Sequence, residues 1–200
     1  MCTAYELGKR GGSFPARARA TAVDELLSLK NTRLLRPTLD APVIDMEGCL
    51  VIMRWGFRRP FSNAVVNARE DKLEGRMWKE SMDARRCLIP ASAYYEWSGP
   101  QGMKRTHRFS SPEDNWLWIA GIWEEDGELG KCFSMITTAP TGVVQGIHDR
   151  MPAVLSLADT EIFLDGGMRT FRPAVASLQV EDAINPLTGR KPGPVQGELL

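Results

Sequence analysis

The chain has 200 residues, 43% of them apolar and 25% charged, proportions that exclude disordered, collagen-like, coiled-coil and disulfide-scaffold classes. Its longest apolar run, Leu117 to Trp123 with Gly121 inside it, falls short of the roughly 18–20 residues that cross a bilayer, and the start MCTAYELGKRGG lacks the parts of a secretory signal, so a cytoplasmic protein without membrane contact is expected. Basic and acidic residues balance at 25 each, yet residues 51–110 hold twelve basic and six acidic side chains while residues 111–200 hold six and thirteen.

In chain order, residues 16–30 place Val23, Leu26, Leu27 and Lys30 at helical spacing and predict a short amphipathic helix. RPTLDAPVIDMEGCLVIMRWGF predicts two strands joined at the turn-prone MEG, with Val43, Ile44, Leu50, Ile52 and Met53 as β-type side chains. Residues 70–82 read as a second helix. The runs CLIP, AYYEW, WLWIAGIW, CFSMITTA and MPAVL, separated by Gly, Pro, Asn or Asp, read as strands of a mixed sheet. LADTEIFLDG reads as a third helix, capped by Ser156 and ending at Gly166. No linker or repeat divides the chain, so one domain is expected over residues 1–184. A weakly ordered tail over 185–200 follows from Pro186, Pro192 and Pro194 with three glycines.

The cysteines at 2, 49, 87 and 132 lack the short spacing of zinc sites, so neither metal nor cofactor is expected. Cys49, Cys87 and Cys132 read as small core residues. Cys2 becomes a 1,2-aminothiol if Met1 is removed; such a group condenses with an aldehyde as an imine and then closes to a thiazolidine. A terminal amine with pKa near 7.7–8.0 is about a tenth neutral at pH 7, far more than a lysine. A chance cysteine behind a retained Met is the alternative.

Of the two histidines, His148 in GIHDRMP lies beside Asp149 and Arg150, a setting for acid–base work or for structural hydrogen bonding. His107, in the loop-like GMKRTHRF, reads as a surface residue. Glu96 in AYYEW shares a strand face with Tyr94 and Ser98; it is either a partly desolvated proton donor or an edge-strand carboxylate facing water. Asn67 and Arg69 alternate onto one face, with a cap as the other role for Asn67. The Arg-rich middle (Arg54, Arg58, Arg59, Arg69, Arg76, Arg85, Arg86) offers either phosphate contacts or solvated faces. Most tryptophans read as core, with one or two able to stack on bases.

Taken in order, MC, RWGF, NARED, RRCLIPASAYYEW, AGIWE and ITTAPTGVVQGIHDRMPAVL resemble the SOS response-associated peptidase family, whose members shield abasic sites in single-stranded DNA. The resemblance spans most of residues 1 to about 180. It implies an α+β fold of twisted, mostly antiparallel sheets around the active site with a few short helices, and a monomer that binds single-stranded DNA. It further implies Cys2 as the crosslinking and peptidase nucleophile, Asn67 as the residue positioning the terminus, Glu96 as general acid/base, and His148 as an aid to proton transfer. Arg69, Arg76 and Arg150 match positions that contact phosphates or DNA ends, and Trp55, Phe61 and Trp97 are the aromatic candidates for DNA contact. Thr3 and Ala4 depart from the usual Gly-Arg, RRPFSN replaces the aromatic-rich loop usual after WG, and Asp71 stands as the acidic member of the NARxE pattern. Two other classes remain: a thiol peptidase or amidohydrolase using Cys2 with His148 as base, and a noncatalytic single-strand-binding module.

Overall fold

The computed structural model describes residues 2–101, 103–172 and 178–189. The alternating apolar runs form two large sheets and one hairpin among these residues. The first sheet contains β1 (Tyr5–Leu7), β2 (Arg33–Leu35), β9 (Ala93–Ser98), β10 (Arg105–Ser110) and β15 (Gln179–Ala183), in the order β15-β10-β9-β1-β2 and antiparallel throughout. The second contains β3 (Asp40–Asp45), β4 (Leu50–Trp55), β7 (Asn67–Arg69), β8 (Arg86–Ala91), β11 (Leu117–Asp126), β12 (Gly130–Thr138), β13 (Met151–Pro152) and β14 (Val154–Leu155). Its path β12-β4-β3-β8-β11 returns to β12, so these five strands close into a hydrogen-bonded ring. Closure removes the free edges of those strands. Among the described strands only β12 makes parallel pairs, with β4 and with β7. The hairpin pairs β5 (Phe57–Arg59) with β6 (Ser62–Val65).

Three short α-helices among the described residues complete the α+β architecture. Helix α1 (Ala20–Leu27) is shorter than the expected span of 16–30 because a turn precedes it, with Ala18 N–H donating to Pro15 O, and because the Ser28 hydroxyl donates to Glu25 O where the helix ends. The helix expected over 70–82 is instead a 3₁₀ turn at Glu70–Lys72 followed by α2 (Lys79–Ala84). Gly75 interrupts this stretch, and its carbonyl accepts from Trp78 and Lys79 to start the later helix. Leu73 and Trp78, both buried, are five residues apart, a spacing that does not keep two side chains on one helical face. Helix α3 (Leu157–Leu164) forms as predicted, with the Ser156 hydroxyl accepting the Asp159 N–H at 3.1 Å.

The core joins the sheets through aromatic contacts. Trp55 is wholly buried between Tyr5, whose ring centre lies 5.0 Å away, and Phe133, stacked at 6.2 Å. Tyr94 stacks on Phe109 at 4.8 Å within the first sheet. Cys87 and Cys132 are buried as expected, while Cys49 is half-buried. His107 is no surface loop residue: it lies on β10 and is 9% exposed. The strand runs through RTHRF because Thr106 and Phe109 take buried positions beside β9.

Residues 185–189 of the expected tail form a turn, with Gly189 N–H donating to Asn185 O at 2.8 Å; the rest of that tail lies outside the described residues. No helix among the described residues is long and apolar enough to cross a membrane.

The MEG turn tests this local reading. Asp45 Oδ1 accepts the N–H groups of Glu47 and Cys49 at 3.0 and 2.8 Å, and Gly48 adopts φ +77°. A Cβ on Gly48 would stand 1.9 Å from the Arg17 carbonyl oxygen. Gly48→Ala therefore carries both a left-handed backbone cost and a backbone clash, and should destabilise by about 2 kcal/mol or more. Urea unfolding with a midpoint equal to the parent's would refute this role.

Candidate active site and nucleic-acid interface

Cys2 enters the core because the chain after it is the inner strand β1. Ala4 O accepts the Tyr95 N–H at 3.0 Å, Glu6 O accepts the Ser92 N–H at 2.8 Å, and Tyr5 registers with Tyr94. Cys2 is fully buried, its Sγ 3.4 Å from Ala4 O. Burial, and next the charge of Glu96, push its thiol far above the ordinary range. Asn67, placed by β7 alongside β12, donates its amide to Cys2 O at 2.8 Å.

Glu96 is 1% exposed and lies on a central strand, which overturns the edge-strand reading. Burial is the largest cause of its pKa rising from 4.5 to about 7. His148 Nε2 stands 3.7 Å from Glu96 Oε2. On the other ring nitrogen, the Arg150 N–H reaches Nδ1 at 3.1 Å, and Asp149 Oδ1 lies 2.9 Å away. An N–H can only donate, so the Arg150 contact belongs to the tautomer that carries its proton on Nε2 toward Glu96, whereas a ring protonated on Nδ1 donates to Asp149 instead. Burial holds the His148 pKa below its usual value, which favours the neutral form.

Glu96 and His148 line a cleft of about 270 Å³ together with Thr3, Trp97, Lys104 and Leu187. The structure thus brings Cys2, Asn67, Glu96 and His148 to one seam between the two large sheets. Thr3, Lys104 and Leu187 were missed by sequence reasoning. Thr3 was noted only as a departure at the terminus, and no motif marks the other two. A second cavity of about 260 Å³, lined by Trp116, Trp118 and Leu157 among others, holds none of these groups. Among the described residues no cluster of His, Cys, Asp and Glu is placed to hold a metal.

The expected DNA contacts divide. Trp55 is removed from that role: it is 0% exposed, and its indole N–H donates to Val66 O at 3.1 Å. Trp97 lies at the cleft, and Phe61 is 70% exposed between β5 and β6. Arg69 makes two 3.0 Å bonds to Asp71, which also lies 3.6 Å from Arg150. Arg150 in turn donates to Thr137 O. Arg76 is exposed and forms no ion pair among the described residues. The rest of the basic middle is largely engaged: Arg58 with Asp126 and Glu128, Arg59 with Glu124, Arg85 with Glu80, and Arg54 with two backbone carbonyls. Arg86 is buried.

The desolvated carboxylate has a consequence for stability. Between about pH 4.5 and 7 the folded chain keeps a proton on Glu96 that the unfolded chain releases, so this group's contribution falls as pH rises through that window. The depressed His148 contributes with the opposite sign. Glu96→Gln isolates the first effect: it should stabilise the protein by up to about 3 kcal/mol at pH 8 relative to pH 4.5. Parallel unfolding curves of parent and variant across this range would show that Glu96 titrates normally.

Residues 1–186 match the sequence profile of the family described as SOS response associated peptidase (SRAP). Similar curated proteins include "Abasic site processing protein YoqW" of Bacillus subtilis, 32% identical over 118 residues covering 52% of each chain. "Abasic site processing protein HMCES" of Xenopus tropicalis is 28% identical over 142 residues, covering 54% of this chain and 42% of that one. The chain spans about half the length or less of these relatives. A solved protein from Bacteroides thetaiotaomicron shares the fold at TM-score 0.71 and 19% identity, covering 90% of this chain and 91% of that one. A phage-related protein from Bordetella bronchiseptica does so at TM-score 0.69 and 18% identity, covering 94% and 97%. With the match running through the first strand, both large sheets and the cleft, this chain belongs to the SOS response associated peptidase family.

Proposed function

We propose that the protein processes abasic sites in single-stranded DNA by forming a covalent thiazolidine through Cys2 once Met1 has been removed, a removal for which Cys2 also serves as the autoproteolytic nucleophile. The observation that carries this reading is the convergence of Cys2, Asn67, Glu96 and His148 at one buried seam opening to the cleft. The chain's similarity to abasic site processing proteins supports abasic-site processing as the reaction class.

In this mechanism the free α-amine of Cys2 adds to the aldehyde of the ring-opened sugar, and loss of water leaves an imine. The thiol then adds across the carbon–nitrogen double bond, its proton passing to nitrogen, which closes the five-membered ring with one water released in all. Glu96, near half-protonation at pH 7, supplies and recovers the proton for sugar opening and for loss of water. His148 passes protons beside it, and Asn67 holds the Cys2 carbonyl so that the amine faces the cleft. A neutral thiol suffices, because sulfur attacks an already activated carbon.

Two measurements test this. Processed parent protein should form a heat-stable adduct with abasic single-stranded DNA, whereas Cys2→Ala should give at most a reversible imine and Glu96→Gln should react about 10²- to 10⁴-fold more slowly. Equal adduct yields from parent and Cys2→Ala would sink the mechanism. For the electrostatic part, Arg76→Ala should lower the salt dependence of single-strand binding by up to about 0.7 in log–log slope. Arg59→Ala should leave that slope unchanged, since its charge is already engaged by Glu124.

A further inference from the structure

The first sheet carries a second group of reactive side chains that the Cys2 centre does not use. Ser98 ends β9, His107 lies on β10 and Asp182 on β15, three adjacent strands. Ser98 Oγ stands 2.7 Å from His107 Nε2, and His107 Nδ1 stands 3.5 Å from Asp182 Oδ1. The registers explain the alignment. His107 pairs directly with Asp182 on one side and with Glu96 on the other, and Arg105 pairs with Ser98. Residues directly opposite in an antiparallel pair point to the same face, with Cβ atoms about 4.5–5.5 Å apart. Hydroxyl, imidazole and carboxylate therefore stand in line on the face that carries Glu96.

We propose that Ser98, His107 and Asp182 form a serine-type acyl-transfer centre that hydrolyses small carboxylic esters, independent of Cys2. Ser98 Oγ attacks the ester carbonyl while its proton passes to His107 Nε2. The carbonyl–alkoxy bond breaks, and the departing alcohol takes that proton. Water then attacks the acyl-serine, again giving its proton to His107, and the freed acid leaves Ser98 restored. Asp182 is the positioning residue, accepting from Nδ1–H and so presenting the unprotonated Nε2 to the hydroxyl. The 3.5 Å separation is longer than a hydrogen bond; such contacts tighten when substrate is bound.

Three further observations favour chemistry over a cross-strand tie. His107 is held below its ordinary pKa, by burial first, and is therefore neutral at pH 7, as a base requires. The Arg105 guanidinium, on the residue registered opposite Ser98, donates through Nη2 to the second oxygen of Asp182 and so fixes that carboxylate beside His107, while its Nε is a buried donor without a partner among the described residues. Glu96, two residues before Ser98 and on the same face of the sheet, lines the cleft, so that space adjoins the strand face that carries the hydroxyl and the imidazole.

The test uses Cys2→Ala protein, so that the thiol cannot contribute and failure of the crosslinking mechanism leaves the result readable. The probes are a fluorophosphonate, which forms a serine–phosphorus bond with loss of fluoride, and p-nitrophenyl acetate. Peptide mapping should place the phosphonyl group on Ser98. Adding Ser98→Ala should abolish both labelling and turnover, and His107→Gln should slow them by about 10²- to 10⁴-fold, with thermal unfolding still cooperative. Asp182→Asn should move the acidic limb of the pH–rate profile to lower pH, because Asp182 raises the His107 pKa while Arg105 lowers it; Glu96, facing His107 from β9, is unchanged in both proteins. A folded Cys2→Ala protein that takes no label, label on another residue, or equal turnover after Ser98→Ala would overturn the proposal.

Discussion

Backbone pairing of the first strand with the middle of β9 is the constraint on which the site depends. A chain terminus ordinarily frays, yet here residues 4–7 run between β2 and β9, with Tyr5 packed on Trp55 and the Cys2 carbonyl held by Asn67. Register carries the consequence. Side chains alternate across a strand, so a slip of one residue would turn Tyr5 out of the core and move Cys2 from the face of Glu96. The opposite face locks the register through Glu6, which accepts from Tyr95 and from Arg108. Burial alone would raise the Glu6 pKa, but these hydrogen bonds hold it below the usual carboxylate value.

The same burial that fixes Cys2 sets the charge state of its surroundings. The thiol is pushed up, Glu96 is raised to about 7, and His148 is held low. Each shift has desolvation as its largest cause and favours the neutral form, so at pH 7 the thiol and the imidazole are uncharged while Glu96 is poised between its two forms. For the crosslink proposed above, such a centre suits a sequence in which an amine acts first and the proton inventory rests on one poised carboxyl group.

Much of this was legible in the sequence because local pattern and tertiary role coincide there. AYYEW alternates as a strand, and the carboxylate amid its aromatics is indeed desolvated; Ser156 caps α3; MEG makes its turn around Gly48. Trp55 was unreadable because strand periodicity gives the side on which an indole lies but not what covers it, and the cover comes from Tyr5 and Phe133, far away in sequence. His107 was misread because its charged neighbours resemble a loop, whereas β9 and β15 on either side supply Ser98 and Asp182 as partners. The single helix expected over 70–82 failed on Gly75, whose cost within a helix outweighs the propensity of the residues around it.

The uneven charge of the sequence has a different meaning in three dimensions. Arg58 and Arg59 on β5 meet Glu124, Asp126 and Glu128 from the β11–β12 hairpin, so the basic middle and the acidic second half neutralise each other inside the fold. What remains near the cleft is local: Lys104 and Trp97 at its wall. Such a surface does not supply the many phosphate contacts that make noncovalent binding tight. Under the proposed function it has no need to, because a covalent bond to the aldehyde retains the DNA after a weak encounter. Specificity then lies in the aldehyde, which intact nucleotides lack.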